Sequence, residues 1–111
     1  MKIIKDNEFN SEIKNSDVPV LVDFYAEWCS PCRQLLPVLE EVSNEIGAKL
    51  KVVKMNIDES PETPTNLGVR GIPTLMMFKD GEPVATHSGA ITKSKLSAWI
   101  NEQTDKHPKS D

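Results

Sequence analysis

The sequence has only two cysteines among its 111 residues, and this scarcity excludes a framework of structural disulfides. Cys29 and Cys32 stand three positions apart and can form only one local dithiol. Basic residues are too few for non-specific nucleic-acid binding, since 13 Lys and Arg stand against 17 Asp and Glu. No apolar run can cross a bilayer, because the longest, around residues 19–22, ends at Asp23. We therefore expect neither a nucleic-acid nor a membrane partner.

The N-terminus also lacks the pattern of a signal peptide. Charged and polar residues recur within residues 1–6 (MKIIKD) before an apolar stretch can form. We therefore expect a cytoplasmic protein, and in that compartment disulfides are usually transient and catalytic. Since neither a repeat nor a low-complexity segment interrupts the chain, we expect one domain over residues 1–104. The polar residues 105–111 are expected to form a disordered C-terminal tail.

Hydrophobic patterns predict the order β-α-β-α-β-α-β-β-α. Residues 18–25 and 51–57 are rich in apolar and β-branched residues, as buried strands are. Apolar residues recur at three- and four-residue steps over residues 30–46, which is typical of an amphipathic helix. Asp80-Gly81 between two apolar runs predicts a hairpin late in the chain. Crossover helices followed by a hairpin predict an α/β fold with a mixed central sheet and helices on both faces.

The two cysteines lie where a predicted strand gives way to the helix over residues 30–46. Unpaired N–H groups and the helix dipole stabilise a thiolate at such a helix start. We therefore expect the pKa of the Cys29 thiol to lie below that of a free thiol, since the thiolate is the reactive species. Cys32 is close enough to attack a mixed disulfide formed at Cys29, and Pro31 is tolerated in a first helical turn. The pattern predicts a thiol–disulfide oxidoreductase.

Two other interpretations of the cysteines are weaker. A structural zinc site needs two further ligands, and the only histidines are His87 and His107, the latter in the predicted tail. Two inert buried cysteines are the second alternative, which the polar Ser30 and the strand–helix junction oppose. We therefore expect no bound metal.

Asp23 is the anomaly of its predicted strand. A carboxylate that is ionised and unpaired inside an apolar run costs several kcal/mol. Desolvation would raise the pKa of Asp23, which suits a group that exchanges a proton near neutral pH. The alternative is an aspartate exposed at the end of the strand.

Four segments of the chain resemble the thioredoxin family in order and spacing. They are residues 23–33 (DFYAEWCSPCR), 54–58 (KMNID), 69–74 (VRGIPT) and 78–82 (FKDGE). The likeness extends from about residue 9 to residue 103. It implies the thioredoxin fold and a monomeric protein-disulfide reductase with no bound cofactor. It also implies disulfide-containing protein substrates, and electrons from NADPH through a flavin-dependent thioredoxin reductase.

The resemblance further implies roles for individual residues. Asp23 would lie beneath Cys32 and assist its deprotonation, and Lys54 would lie near this carboxylate. The Ile72–Pro73 bond would be cis and packed against the dithiol. An apolar rim would bind extended protein substrates, and its residues would be Trp28, Pro31, Gly71, Ile72, Pro73, Gly89 and Ala90.

Departures from the family pattern leave the redox poise open. Ser30 stands where glycine is common, and Tyr25 stands where tryptophan is usual. A Ser30 hydroxyl bonded to the Cys29 thiolate would favour the reduced form, whereas a stiffer turn would favour the disulfide. An oxidase or isomerase of the same fold therefore remains an alternative. A binding module that uses the same surface is another.

Overall fold

A computed structural model describes residues 1–106 of the chain. The strands are β1 (Lys2–Ile3), β2 (Val20–Tyr25), β3 (Lys51–Asn56), β4 (Thr74–Lys79) and β5 (Glu82–Ser88). The α-helices are α1 (Phe9–Lys14), α2 (Ser30–Ile46), α3 (Glu62–Asn66) and α4 (Lys93–Lys106). Their order is the predicted one, and α2 has the predicted bounds. The backbone of α4 includes the first two residues of the predicted tail, and residues 107–111 lie outside the described part.

The five strands form one mixed sheet in the order β1-β3-β2-β4-β5. β3 pairs in parallel with both β1 and β2, so the first half of the chain is built from crossover connections. β4 is antiparallel to β2 and to β5. The predicted α/β fold with a mixed central sheet is therefore confirmed, and β2 is its middle strand.

Residues of β2 alternate between two hydrophobic cores, one on each face of the sheet. Val20, Val22 and Phe24 pack in the core that also contains Phe9 of α1. Leu21 packs in the other core, which α2 and α4 supply with Leu35, Leu39, Val42, Leu96 and Ile100. Since successive side chains of a strand point to opposite faces, Asp23 and Tyr25 share the α2 face with Leu21. This alternation places the one acidic residue of β2 on the side of the cysteines.

A distant carboxylate ties the N-terminal segment to α3. Asp6 precedes α1 in the chain, yet its two oxygens accept hydrogen bonds from the backbone N–H groups of Glu62 and Thr63, at 3.1 and 2.8 Å. These N–H groups at the start of α3 lack intrahelical partners, so Asp6 satisfies them. The short α3 is thus held by a residue far away in sequence.

The β4–β5 hairpin has the two-residue turn that the sequence predicts. Asp80 and Gly81 have φ angles of 52° and 82°, so both occupy the left-handed region that a type I′ turn requires. A Cβ added at Gly81 would lie 3.0 Å from Cγ of Lys14 in α1. Both backbone conformation and space therefore favour glycine here.

We expect Gly81→Ala to lower the free energy of unfolding by about 1–2 kcal/mol, because a side chain is disfavoured at positive φ. Urea denaturation followed by tryptophan fluorescence measures this loss. Gly71→Ala is the matched control, since Gly71 lacks a positive φ and a Cβ there meets open space. Equal losses for the two variants would contradict the assignment of this turn.

Candidate active site

Cys29 and Cys32 form a disulfide at the N-terminus of α2, with their Cα atoms 5.2 Å apart. Cys29 is the N-cap residue of the helix, and its sulfur accepts a hydrogen bond from the N–H of Cys32 at 3.2 Å. Pro31 lies in the first turn, as predicted. Both cysteines are buried, whereas Ser30 and Pro31 between them are exposed. The N–H of Cys32, in the first turn of the helix, thus points toward the sulfur of Cys29.

Two hydrogen bonds shape the loop between β2 and α2. The N–H of Cys29 donates to the carbonyl of Ala26 at 3.2 Å, which turns the chain as it leaves the sheet. Arg33 donates from Nη1 to the carbonyl of Glu27 at 2.7 Å. A residue of the first helical turn thereby holds the loop that precedes it. The position of Cys29 relative to the sheet is fixed from both sides.

Asp23 is buried in the middle of the sheet, with only 1% of its surface exposed. The alternative of an aspartate exposed at a strand end is therefore wrong. Its Oδ1 atom has no hydrogen-bond partner among the described residues. Burial raises the pKa of Asp23 to about 7, and the positive charge of Lys54 opposes this rise. The carboxyl group can therefore gain or lose a proton near neutral pH.

A cavity of about 380 Å³ connects Asp23 with the second cysteine. We call it the Asp23 cavity, and the residues that carry its chemistry are Asp23, Tyr25, Cys32, Arg33 and Lys54. Asp23 and Cys32 come from different elements, β2 and α2, and reach the same space because both lie on one face of the sheet. The cavity offers a route for a proton between the carboxyl group of Asp23 and the sulfur of Cys32.

Lys54 lies directly across from Asp23 in the paired strands β2 and β3. Its ammonium group lies 5.3 Å from the centroid of the Tyr25 ring. Among the ion pairs seen within residues 1–106, none joins Lys54 to Asp23. Lys54 is therefore a neighbour of Asp23, as predicted, but its ammonium group contacts the Tyr25 ring and not the carboxylate.

A second depression, the Trp28 groove, lies beside the disulfide and has a volume of about 410 Å³. Its walls include Trp28, Pro61, Pro64, Gly71 and Ile72. Trp28 is 67% exposed, an unusual fraction for so large an apolar side chain. Ile72 packs against the cluster that contains both cysteines. An apolar surface thus extends from the disulfide along the groove.

The remaining predicted rim residues divide between two places. The Ile72–Pro73 bond is cis, as the resemblance implies, and the N–H of Gly89 donates to the carbonyl of Pro73 at 2.9 Å. Gly89 is therefore brought beside this proline. Ala90 lines a separate cavity of about 540 Å³ together with His87 and Trp99. The residues predicted to form one rim thus lie along more than one depression.

Comparison with known proteins assigns the chain to a family. The thioredoxin family model matches residues 1–102. The chain is 54% identical over 98 residues to the thioredoxin of Rickettsia bellii, which covers 88% of this chain and 93% of the relative. It is 53% identical over 100 residues to the thioredoxin of Rhodospirillum rubrum, covering 90% and 96% of the two chains. It is 52% identical over 98 residues to the thioredoxin of Pseudomonas aeruginosa, covering 88% and 91%.

The chain belongs to the thioredoxin family. It is accordingly a thiol–disulfide oxidoreductase that reduces disulfides in proteins, and the Cys29–Cys32 disulfide is its redox centre. Thioredoxins need no bound cofactor for this chemistry, since the two sulfur atoms carry the electrons. Residues 1–106 contain no group of three or more His, Cys, Asp or Glu side chains able to hold a metal ion. In the same residues, none of the helices is long and apolar enough to span a membrane.

No role was predicted for Asn56 and Asp58 from the sequence, although both lie in segment 54–58. Asp58 accepts a hydrogen bond from the indole N–H of Trp28 at 2.8 Å. Asn56 accepts from the N–H groups of Asp58 and Glu59, at 2.8 and 3.3 Å, and so fixes the turn that carries Asp58. The sequence signal for both residues was the cluster of polar residues at the end of β3 and directly after it. These contacts orient the exposed indole beside the disulfide.

The raised pKa of Asp23 makes stability depend on pH. The folded protein keeps this proton up to about pH 7, whereas the unfolded chain loses it near pH 4. Because the folded state binds more protons between these values, the free energy of unfolding falls as pH rises from about 4 to about 7. We expect Asp23→Asn to be more stable than the wild type at pH 8 by on the order of 3–4 kcal/mol, less a constant for burying the amide. That margin should shrink toward pH 4.

Urea denaturation at several pH values measures the difference. Glu40→Gln removes one carboxylate from the exposed surface of α2 and is the matched control. The pH dependence of the margin is diagnostic, because the cost of burying an amide does not change with pH. Parallel stability profiles for Asp23→Asn and the wild type would contradict the raised pKa.

Proposed function

We propose that Cys29 is the attacking thiolate and Cys32 the resolving thiol in the reduction of protein disulfides. The observation that carries this proposal is the hydrogen bond from the N–H of Cys32 to the sulfur of Cys29 at the start of α2. This backbone donor and the helix dipole act on the sulfur of Cys29, so this sulfur is the better stabilised thiolate. The Cys29 thiolate attacks a substrate disulfide, a Cys29–substrate bond forms, and the leaving sulfur takes a proton from solvent.

The second half of the reaction needs a base near Cys32. We propose that Asp23 takes the proton of the Cys32 thiol through the Asp23 cavity. The Cys32 thiolate then attacks the sulfur of Cys29, the bond to the substrate breaks, and the second substrate sulfur leaves reduced. Two electrons have passed to the substrate and the Cys29–Cys32 disulfide remains. The burial of Asp23, its pKa of about 7 and the shared cavity support this role.

We propose that an extended protein segment binds along the Trp28 groove and over Pro73. The exposed indole and the packing of Ile72 against the cysteine cluster support this placement. Nonpolar contacts and pairing with the backbone of Ile72, as in strand addition, would accept many sequences. Pro31, Gly71 and the segment of Gly89 and Ala90 would complete the surface around the disulfide.

The finer features of the cycle are also proposals. The oxidised protein would be reduced by a thioredoxin reductase that draws electrons from NADPH, and the protein would act as a monomer in the cytoplasm without nucleic-acid or membrane partners. A single local dithiol supports this compartment, since reducing conditions favour catalytic over structural disulfides. Ser30 would tune the redox poise from its exposed position between the cysteines.

The assignment of the two cysteines predicts different failures for their serine variants. Cys29→Ser should reduce insulin no faster than background with NADPH and a thioredoxin reductase, because the attacking sulfur is gone. Cys32→Ser should form a covalent adduct with the substrate, visible by mass spectrometry and released by dithiothreitol. Undiminished turnover by Cys29→Ser would overturn the assignment. So would a substrate adduct that forms on Cys32 of Cys29→Ser and not on Cys29 of Cys32→Ser.

The role of Asp23 is tested on the resolution step alone. In single-turnover experiments followed by Trp28 fluorescence, Asp23→Asn should slow release of the substrate at pH 7 by on the order of 10²-fold, as loss of a general base does. The wild-type rate should rise with pH and level off at about pH 7, and this levelling should be absent in the variant. Glu40→Gln controls for the loss of one negative charge. An unchanged rate and profile would remove Asp23 from the mechanism.

A further inference from the structure

Tyr25 occupies a position from which it can influence the proposed proton partner. Asp23 and Tyr25 are two residues apart on β2 and share one face of the sheet. Lys54 on β3 is paired with Asp23, so its side chain can extend either toward the carboxyl group or along the strand toward the ring. All three residues line the Asp23 cavity.

The structure shows which of the two directions Lys54 takes. Its Nζ atom lies 5.3 Å from the centroid of the Tyr25 ring, within the distance at which a cation is attracted to an aromatic face. The ion-pair contacts seen within residues 1–106 join Lys54 to neither Asp23 nor any other carboxylate. The ammonium group of Lys54 therefore lies toward Tyr25, two residues further along β2 than Asp23.

We propose that Tyr25 is a positioning residue that holds the ammonium group of Lys54 over its ring, at the Asp23 cavity, and so keeps it out of direct contact with the Asp23 carboxylate. The proposal rests on the proposed role of Asp23 as the proton partner of Cys32. Tyr25 acts through Lys54 and need not touch the reacting sulfur atoms.

The consequence follows from the distance dependence of charge interactions. An ammonium group in direct contact with Asp23 would stabilise the carboxylate more strongly than one held at the ring. The pKa of Asp23 would then fall, and the carboxylate would be a weaker base for the Cys32 thiol. Holding Lys54 at the ring keeps Asp23 able to exchange a proton near neutral pH.

The other charged groups around the carboxyl group are few. Besides Lys54 on β3, the cavity is lined by Glu27 from the loop after β2 and by Arg33 from α2, and β1 contributes the apolar Ile3. On β4, the residue paired with Asp23 is the apolar Leu75. Glu27 and Arg33 stay in place when the ring is removed. The position of the Lys54 ammonium is thus the variable that a change at Tyr25 alters.

The tyrosine ring stays neutral in the range of interest. Burial raises the pKa of the Tyr25 hydroxyl, and the acidic groups of Glu59, Glu27 and Asp23 raise it further. A hydrogen bond with Asn56 lowers this pKa, but its effect is smaller. The face of the ring therefore carries no full charge, and its quadrupole is the feature that attracts Lys54.

The test compares Tyr25→Leu, which removes the ring, with Tyr25→Phe, which keeps the ring and removes only the hydroxyl. Carboxyl carbon NMR on the oxidised protein reports the pKa of Asp23 while the cysteines cannot titrate. We expect Tyr25→Leu to lower this pKa by roughly half a unit or more, a threefold change in the ionisation constant, as Lys54 approaches the carboxylate. Tyr25→Phe should titrate as the wild type does.

Lys54→Met separates an action through Lys54 from a simple loss of burial. Removing the ammonium should raise the pKa of Asp23, because its charge now lowers it. Tyr25→Leu in the Lys54→Met background should then have no further effect. An unchanged titration in Tyr25→Leu, or an equal shift when Lys54 is already absent, would overturn the proposal.

A direct contact measurement keeps the proposal testable if Tyr25→Leu does not fold. The Lys54 Hε protons should be shifted upfield by the ring in the wild type, in Tyr25→Phe and in Tyr25→Trp. Ordinary Lys54 shifts in the wild type would contradict the contact. These titrations do not depend on catalysis, whereas the resolution rate of Asp23→Asn tests the role of Asp23 itself. Failure of either can thus be distinguished from failure of the other.

Discussion

The burial of β2 between two helical layers is the constraint on which the rest of the site depends. Its even-numbered residues complete one core, and Leu21 anchors the opposite face to α2 and α4. Asp23 has to occupy that same face, so it is desolvated and its pKa rises. The chain then leaves the sheet and turns directly into α2, which puts Cys29 at the helix start. Sheet packing thus determines the placement of Cys29 and of the buried carboxyl group of Asp23.

Much of this architecture was predictable because it follows from local patterns. The three- and four-residue apolar repeat of α2 and the Asp80-Gly81 turn are determined by neighbouring residues, and the burial of Asp23 follows from the apolar residues around it. The start of α3 was harder to predict, since its backbone N–H groups donate hydrogen bonds to Asp6 across more than 50 intervening residues. The cis Ile72–Pro73 bond came from family resemblance, as residues alone favour trans before proline.

The limits of prediction in the site have one physical origin. When a side chain has several possible partners, the folded structure determines which one it contacts, and the local sequence does not. The family resemblance implied that Lys54 lies near Asp23, and the two residues are paired across β2 and β3. The contact of Lys54 with the Tyr25 ring was not predicted, because it depends on the direction of a long flexible side chain. Asp58 likewise holds Trp28 across 30 residues of sequence. The cavity that Ala90 lines with His87 and Trp99 was not predicted either, since it joins residues of β5, of α4 and of the segment between them.

The closeness of the two cysteines in sequence has a consequence for the whole fold. A bond that closes a loop of so few residues removes little freedom from the unfolded chain, about 2 kcal/mol by the chain-entropy relation against nearly 5 for a 100-residue loop. Most of the buried apolar side chains lie instead in the two cores on either face of the sheet, and neither core contains a cysteine. The bond that holds the electron pair is therefore one on which the stability of the fold depends little.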